Sequence, residues 1–310
     1  LYNCSHPHKP YLKVALSILN MGFMRGLSRA YMAVTPAIND WVFNKVNYDP
    51  TLSACNFTAL REYATLGYAH HTFEQSALGD TPYRKMFACL WRENPNHNLQ
   101  NNEQLTTMAA LLHLDNNGKS MAGALIDQSG LSTHAWLLHY FNAYLIPLVH
   151  CFYAHKLVFM PHGENLILKL KNSVPVGAYM KDIGEEVALL NSTEPLPDEV
   201  SRIHIAMPKE LELLSIFTDV FDCFFRYLVA ILVREERITE HDFWHGVAQS
   251  VKAYQQANPA LNARFKEYDF FSDEFAHSCL NRLQLGNNKQ MVDLTDPAGS
   301  LQFAGSLINP

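Results

Sequence analysis

Alternating apolar and polar residues predict short β-strands in the first third of the chain. In YLKVALSIL, residues 11–19, every even-numbered position is apolar, which is typical of a strand. Two more strand-like runs, residues 59–68 and 85–93, flank a polar turn around Gly79 and Asp80.

The first predicted helix covers VTPAINDWVFNKV, residues 34–46. Thr35 is expected as its N-cap and Pro36 as its first helical residue, since both residue types favour these positions. The segment NPNHNLQNNEQ, residues 94–104, is rich in Asn and lacks periodicity, so we expect a loop there.

Two longer helices are predicted further along the chain. Residues 132–157 show a helical pattern with Ser132 or Thr133 as the cap, and residues 238–259 show another with Thr239 as the cap. The remainder of the C-terminal part is mainly helical in pattern. The predicted class is therefore α+β, helix-rich towards the C-terminus, with antiparallel strands and hairpins.

Composition and charge exclude several classes of function. The 310 residues are 48% hydrophobic and carry a formal net charge of −6, so no basic field points to nucleic acid. No apolar run reaches the length of about 18 residues that a membrane span requires. Six scattered cysteines without a C-x-x-C motif indicate reduced thiols and a cytoplasmic protein.

A predicted hairpin carries the first candidate site. LILKLKN, residues 166–172, reads as a strand, SVPVG as a turn and AYMKD as a return strand. Asn165 and Asp182 then lie at the open end of the hairpin, where an amide and a carboxylate oxygen would suit Mg²⁺ on a nucleotide. His162 and Glu164 are not required by a turn. Alternatively, Asn165 caps a turn and Asp182 lies on a solvated edge.

Lys13 and Arg25 form a second candidate site near the start of the chain. Lys and Arg are the usual side chains that bind phosphate and carboxylate, although two such residues are also common on solvated surfaces. His241 and His245 have i, i+4 spacing on a predicted helix, but they lack the third ligand of a zinc site.

The order of these motifs resembles the NRPS-independent siderophore synthetases, the aerobactin-synthetase or IucA/IucC family. Lys13 and Arg25 are followed by TPAINDW, an aromatic-rich helix, HGENLILKL and KDIGEE. The family's usual signature is H-x-Q-N, a strand and then R-D-x-x-G. Here Glu164 replaces the common Gln, and Lys181 replaces the common Arg.

The segment NMGFMRGLSRAYMAVTPAINDW is most similar to one branch of that family. This branch joins N-hydroxy-N-succinyl diamine units into hydroxamate macrocycles such as alcaligin, bisucaberin, putrebactin and desferrioxamine. The resemblance implies a ligase that activates a carboxylate with ATP and Mg²⁺, releasing pyrophosphate. Attack by an amine then forms an amide and releases AMP.

The resemblance also implies a role for individual residues. Lys13 and Arg25 would contact the ATP phosphates, Arg25 would also reach the carboxylate, and His162 would orient the acyl group. These three residues form the expected catalytic set. Arg92, in WRENP, would face the carboxylate substrate together with His162 and Arg25. The nucleotide-binding set would be Lys13, Arg25, Glu164, Asn165 and Asp182, with Asn165 and Asp182 as the Mg²⁺ ligands.

The family resembles a cupped hand of thumb, fingers and palm. By analogy, residues 1–48 would end the ATP-binding fingers, and residues 49–310 would form the palm with its FhuF-like C-terminal region. The resemblance implies a preceding N-terminal half that full activity needs. It also implies a homodimer acting on small carboxylate and diamine-derived substrates, without nucleic acid or membrane.

Three alternatives remain open from the sequence. A synthetase of the same family that uses citrate would carry the same motifs. A phosphotransferase would need an Asp base where this chain has Glu164. A non-catalytic siderophore- or nucleotide-binding module is the third alternative, and a reductase should carry clustered cysteines for an iron–sulfur centre.

Overall fold

The computed structural model describes residues 1–16, 18–20, 23–75, 85–278 and 303–310. The turn predicted around Gly79 and Asp80 lies outside these ranges. The α-helices are α1 Arg29–Asn47, α2 Pro50–Ala54, α3 His71–Glu74, α4 Met121–Ser129, α5 Thr133–His155, α6 Ile183–Glu186, α7 Lys209–Glu212, α8 Leu214–Ile216, α9 Arg226–Arg234, α10 Glu240–Ala257 and α11 Asn262–Glu267. A π-helix, Phe217–Phe225, joins α8 to α9.

The strands are short and most of their pairs are antiparallel. They are β1 Tyr11–Val14, β2 Leu19–Asn20, β3 Phe23–Met24, β4 Phe57–Ala59, β5 Glu62–Gly67, β6 Ala88–Arg92, β7 Glu103–Thr107, β8 Leu157–Val158, β9 Leu166–Lys171, β10 Val174–Met180, β11 Ala188–Leu190, β12 His204–Ile205, β13 Glu274–Ser278 and β14 Phe303–Ile308. The predicted α+β class is confirmed.

Two sheets position the candidate site. The first is antiparallel with strand order β1-β6-β5, and the second has the order β4-β10-β9-β7, in which β4 pairs with β10 in parallel. The described part of the chain also contains three smaller sheets, with the strand orders β12-β11-β8, β13-β14 and β2-β3.

Helix α5 forms the centre of the core. Its residues from Trp136 to Tyr153 are mostly buried and pack against β10, α10 and the π-helix. The Trp136 indole N–H donates to the Ser173 carbonyl at 2.9 Å, so even the polar edge of this buried ring is satisfied. The predicted helix and its Ser132 cap are confirmed, since the Ser132 hydroxyl accepts from the Ala135 N–H.

The predicted start of the first helix is wrong. Helix α1 begins at Arg29 after Ser28, and Pro36 lies inside it rather than at its first position. A proline here removes the N–H that would bond the Met32 carbonyl. The Thr65 hydroxyl from β5 donates to that carbonyl at 2.5 Å, so the buried acceptor is satisfied from outside the helix.

The predicted hairpin is confirmed, but its turn is shorter than expected. Strands β9 and β10 pair from Leu166–Met180 to Lys171–Val174, and the turn consists of Asn172 and Ser173. Both turn residues have positive φ, 50° and 66°, which is the conformation of a tight two-residue hairpin turn. The residues VPVG therefore continue the strand.

Other boundaries differ in smaller ways. Within the strand predicted over residues 11–19, Tyr11–Val14 forms β1 and Leu19 begins β2, whereas residues 15, 16 and 18 lie outside the strands. The loop predicted over residues 94–104 contains a short 3₁₀ turn and the start of β7. Helix α10 has the expected cap, because the Thr239 hydroxyl accepts from the Asp242 N–H at 3.1 Å. Within the described ranges, no helix is both long and apolar enough to cross a bilayer.

The boundary at residue 48 between fingers and palm stays a prediction. Strand β1 pairs with β6, and α1 packs against β4, β5 and α6. The first 48 residues are thus joined to the following part by a shared sheet and a shared core.

We predict that Thr65→Val destabilises the protein by about 1–3 kcal/mol, because it leaves the buried Met32 carbonyl without a donor. Urea unfolding would measure the loss. In a Pro36→Ala background, the new residue supplies a backbone N–H to the same carbonyl, so Thr65→Val should cost clearly less. An equal cost in both backgrounds would contradict the role given to Pro36.

Candidate active site

Three cationic side chains from separate parts of the chain converge on the carboxylate of Asp182. The Lys13 Nζ lies 2.8 Å from Oδ1, and the Lys181 Nζ lies 2.7 Å from Oδ2. The Arg92 guanidinium also donates to Oδ1. The Asp182 and Arg92 side chains are only 11% and 12% exposed, so the cluster is largely shielded from solvent.

The two sheets explain why these residues meet. In the β1–β6 pair, Lys13 is opposite Leu90 and Tyr11 is opposite Arg92, which places Lys13 and Arg92 diagonally on one face. Asp182 follows β10 closely with φ 59°, a left-handed conformation that Asp tolerates better than most residues. The turn this makes directs the carboxylate towards the first sheet.

The electrostatics of the cluster follow from burial and charge. Burial alone would raise the pKa of Asp182, but the positive charges of Arg92, Lys13 and Lys181 hold it well below its usual range. Burial alone would lower the pKa of Lys13, yet the charges of Asp182 and Glu185 raise it overall. Asp182 and Lys13 are therefore both charged at neutral pH.

Three glutamate side chains, from Glu62, Glu185 and Glu186, lie close to the cations. The Glu62 side chain is 1% exposed and accepts from Arg92 at 2.5 Å. Glu185 lies 3.8 Å from the Lys13 ammonium. Burial raises the pKa of Glu185, and burial with the neighbouring Asp182 charge raises the pKa of Glu186 to about 7. Close packing holds this segment, because a Cβ on Gly184 would lie 2.6 Å from the Thr35 methyl.

The loop before β9 carries His162 and Asn165 on the rim of the cluster. The buried Asn165 amide donates to the Met160 carbonyl at 3.2 Å, contacts the His162 Nε2 at 3.0 Å, and donates to Glu186. Gly163 permits a close approach, since a Cβ there would lie 2.9 Å from the Ala109 Cα. His162 is exposed, but desolvation by the neighbouring protein atoms lowers its pKa, and so does the charge of Lys181.

Most residues predicted for the site come together in the structure. One hydrogen-bond network contains Lys13, Arg92, Asn165 and Asp182. Lys13 and Arg92 contact Asp182 directly. Lys181 links Asp182 to Asn165, because its ammonium also lies 3.3 Å from the Asn165 Oδ1.

Three of the predicted residues are more peripheral. His162, Arg25 and Glu164 are exposed, and the charges of Arg25 and Glu164 act on His162.

The sequence did not predict the acidic partners Glu62, Glu185 and Glu186. The sequence did contain a hint of Glu185 and Glu186, because these two adjacent carboxylates closely follow Asp182 in KDIGEE. Glu62 offered none, because its contact with Arg92 depends on the pairing of β5 with β6.

The assignment of Mg²⁺ to Asn165 and Asp182 does not fit this arrangement. Both carboxylate oxygens of Asp182 already contact ammonium or guanidinium groups. The Asn165 carbonyl oxygen faces Lys181 as well. A metal ion would have to displace cations from hard oxygen ligands. The Mg²⁺ site therefore stays a prediction that the observed contacts do not favour.

The same cluster does suit an anionic substrate. Within the described part of the chain, the buried Nε–H of Arg92 has no acceptor. Such a donor is costly to leave unpaired, but because it has almost no accessible surface, a carboxylate or phosphate oxygen can reach it only if neighbouring side chains move. The Lys13 side chain is 37% exposed, and Arg25 is exposed as well, so cations are also presented to solvent.

Comparisons with known proteins agree with the motif order. The IucA/IucC family model matches residues 1–113, and a model described as a ferric iron reductase FhuF-like transporter matches residues 134–293. The chain is 50% identical over 309 residues to putrebactin synthase from Shewanella sp. (strain MR-4), and the match covers all of this chain and 49% of that protein.

Solved structures give the same picture. Aerobactin synthetase IucC from a hypervirulent pathotype of Klebsiella pneumoniae superposes with a TM-score of 0.80 at 26% identity, over 92% of this chain and 49% of that one. The ATP-bound aerobactin synthetase IucA from the same source shares the fold, with a TM-score of 0.71 at 16% identity over 97% of this chain and 52% of that one. The chain thus spans about half the length of the relatives it matches.

We predict that Glu186→Gln changes the pH dependence of stability. The pKa of Glu186 rises from 4.5 to about 7 on folding, so the folded state holds more protons between these values and loses stability as pH rises through that window. The full shift corresponds to up to about 3 kcal/mol. Gln can still accept from Asn165, so the variant should gain stability over the parent at pH 8 but not at pH 4.

Urea unfolding at both pH values would test this. Glu199→Gln, in an exposed loop position, is the matched control and should leave the pH profile unchanged. If stability changes with pH in the same way in the parent and in Glu186→Gln, then folding does not raise the pKa of Glu186.

Proposed function

The chain belongs to the IucA/IucC family, and we propose that it forms the C-terminal part of an ATP-dependent siderophore synthetase that joins a carboxylate to an amine. The observation that carries the proposal is the convergence of Lys13, Arg92 and Lys181 on Asp182, with the Lys13 side chain partly exposed to solvent. Such a fixed cluster of cations suits the stabilisation of charge in acyl transfer through an adenylate.

In this proposal ATP is a substrate that supplies the activation of the carboxylate. Lys13 and the exposed Arg25 bind phosphate oxygens, and Arg92 binds the carboxylate to be activated. Asp182 acts as a positioning residue, because its carboxylate fixes the three cations relative to one another. The ATP-bound state of the related IucA structure supports the choice of nucleotide.

His162 and its neighbours would orient the acyl group at the rim. The lowered pKa of His162 keeps its imidazole neutral at pH 7, so it can serve as a hydrogen-bond partner without adding charge. Asn165 fixes that ring through its contact with Nε2. Glu164 is exposed close to His162 and would contact the nucleotide from the outer side.

The substrate class we propose is an N-hydroxy-N-succinyl diamine. Its support is the 50% identity with putrebactin synthase along the whole of this chain. A citrate-using enzyme is the second candidate, supported by the relatives named aerobactin synthase at 28% and 29% identity. Mg²⁺ is expected with ATP, although the contacts of Asn165 and Asp182 do not favour these residues as its ligands.

The match to a ferric iron reductase-like model raises a different function. An iron–sulfur centre needs four protein ligands, usually cysteine thiolates. The matched range 134–293 contains only Cys151, Cys223 and Cys279, widely spaced along the sequence. The ligase therefore explains the cationic cluster better than a reductase does.

The test of the proposed function is pyrophosphate and AMP release by the full-length protein with ATP, Mg²⁺ and an acyl donor. N-hydroxy-N-succinyl putrescine and its cadaverine analogue should each be compared with citrate. We expect pyrophosphate, AMP and a dimeric or cyclic amide with a succinyl donor. Release with citrate alone would keep the family but overturn the substrate class, and ADP formation would overturn the ligase.

Matched variants connect that activity to the site. Arg25→Ala should lower pyrophosphate release by about 10²-fold, the effect of losing one charge-stabilising group. His241→Ala is the control, since His241 lies exposed on α10, outside the cluster. Equal activity of the two variants would remove Arg25 from the mechanism.

A further inference from the structure

A second cluster of polar side chains lies where the end of α5 meets the junction between α1 and α2. His150 and His155 direct their Nε2 atoms at the same oxygen of Asp49, Oδ2, at 3.1 Å and 3.0 Å. The centroids of the two imidazole rings lie 5.4 Å apart, and the rings are nearly perpendicular. The three ligand atoms all lie within 4.8 Å of one another.

We propose that Asp49, His150 and His155 bind a divalent transition-metal ion, with Zn²⁺ as the best match. Imidazole nitrogen and carboxylate oxygen are common zinc ligands with bond lengths of about 2.0–2.1 Å. In a tetrahedron with such bonds, neighbouring ligand atoms are about 3.3 Å apart. The observed N···O separations are only slightly shorter, so a small outward movement of the side chains would admit the ion.

Neighbouring groups orient Asp49 and His150 by hydrogen bonds, as is usual for the ligands of a metal site. The second oxygen of Asp49 accepts from the backbone N–H groups of Thr51 and Leu52 at 2.8 Å and 2.9 Å, which leaves Oδ2 directed at the histidines. The Nδ1 of His150 lies 2.9 Å from the Tyr254 hydroxyl. Metal-bound histidines typically hydrogen-bond through the other ring nitrogen in this way.

The cluster is accessible and shares no residue with the proposed active site. The His155 side chain is 20% exposed, whereas that of His150 is 6% exposed, so an ion can enter from the His155 side. A surface cavity of about 490 Å³ lies beside the cluster and includes Thr51, Cys55 and Tyr254 in its lining. Three protein ligands leave a fourth position for water.

The consequence would be a cross-link between distant parts of the chain. Asp49 lies in the short connection after α1, the helix that packs against α6 of the active site. The histidines lie in the last two turns of α5, the central core helix. A bound ion would tie α1 to α5 and would stabilise the folded state by mass action.

The test is Zn²⁺ binding by the chelator-treated full-length protein, followed by calorimetry or by competition with a chromophoric chelator. We expect one equivalent to bind through these residues and the thermal midpoint to rise. His155→Gln and Asp49→Asn should each weaken binding by at least about 10-fold, and Tyr254→Phe should weaken it by about 10-fold. Asn at position 49 can still cap α2, so the variant should fold.

The control is His241→Ala combined with His245→Ala, because this exposed pair on α10 is the obvious competing site. The double variant should still bind the one equivalent of Zn²⁺ that the His155→Gln variant no longer binds. Co²⁺ should give visible bands of a four-coordinate site without the thiolate charge-transfer band of cysteine ligands. Undetectable binding in a large excess of Zn²⁺, or equal binding by the parent and His155→Gln, would overturn the proposal.

Discussion

The contact between Asp182 and three cationic side chains is the interaction on which the candidate site depends. Lys13, Arg92 and Lys181 carry like charges that would repel one another without a common anion. Because the site is largely buried, removing one partner of such a group leaves uncompensated charge, at a cost of about 3–5 kcal/mol for a buried pair. The carboxylate therefore has a structural role as well as a proposed role in catalysis, and both rest on the left-handed turn at Asp182.

The fold supplies this contact by joining two sheets through a rigid core. Helix α1 packs against β5 of the first sheet, against β4 of the second, and against α6 beside Asp182. Helix α5 packs against β10, with most of its aromatic residues fully buried. Lys13 and Arg92 come from the first sheet and the carboxylate follows the second, so a shift between the sheets would separate them. The proposed zinc site would fix the same arrangement at the far end of α1.

Much of this arrangement was predictable from local sequence, and the exceptions have a common cause. The alternation in residues 166–172 predicted β9, and the Ser132 and Thr239 caps predicted two helix starts, because these signals act over a few residues. The predicted start of α1 was wrong because Pro36 is tolerated inside the helix. The hydroxyl of Thr65, 33 positions after Met32, donates to the Met32 carbonyl in place of the N–H that Pro36 lacks.

The missed residues Glu62, His150 and Asp49 depend on contacts of the same kind. Their partners lie between 30 and 106 residues away along the chain, so no local pattern signals them. Residue type alone suggested Lys13 and Arg25 as a candidate site, and the resemblance to the family gave these residues their roles and added Arg92.

The most direct test of the central claim is the Mg²⁺ dependence of pyrophosphate release by Asp182→Asn in the full-length protein, with circular dichroism as the check on folding. If Asp182 positions the cations, the variant should lose about 10²-fold or more in rate at every Mg²⁺ concentration, with an unchanged half-saturating concentration. A rate that recovers at high Mg²⁺, with a raised half-saturating concentration, would contradict this role and make Asp182 a metal ligand.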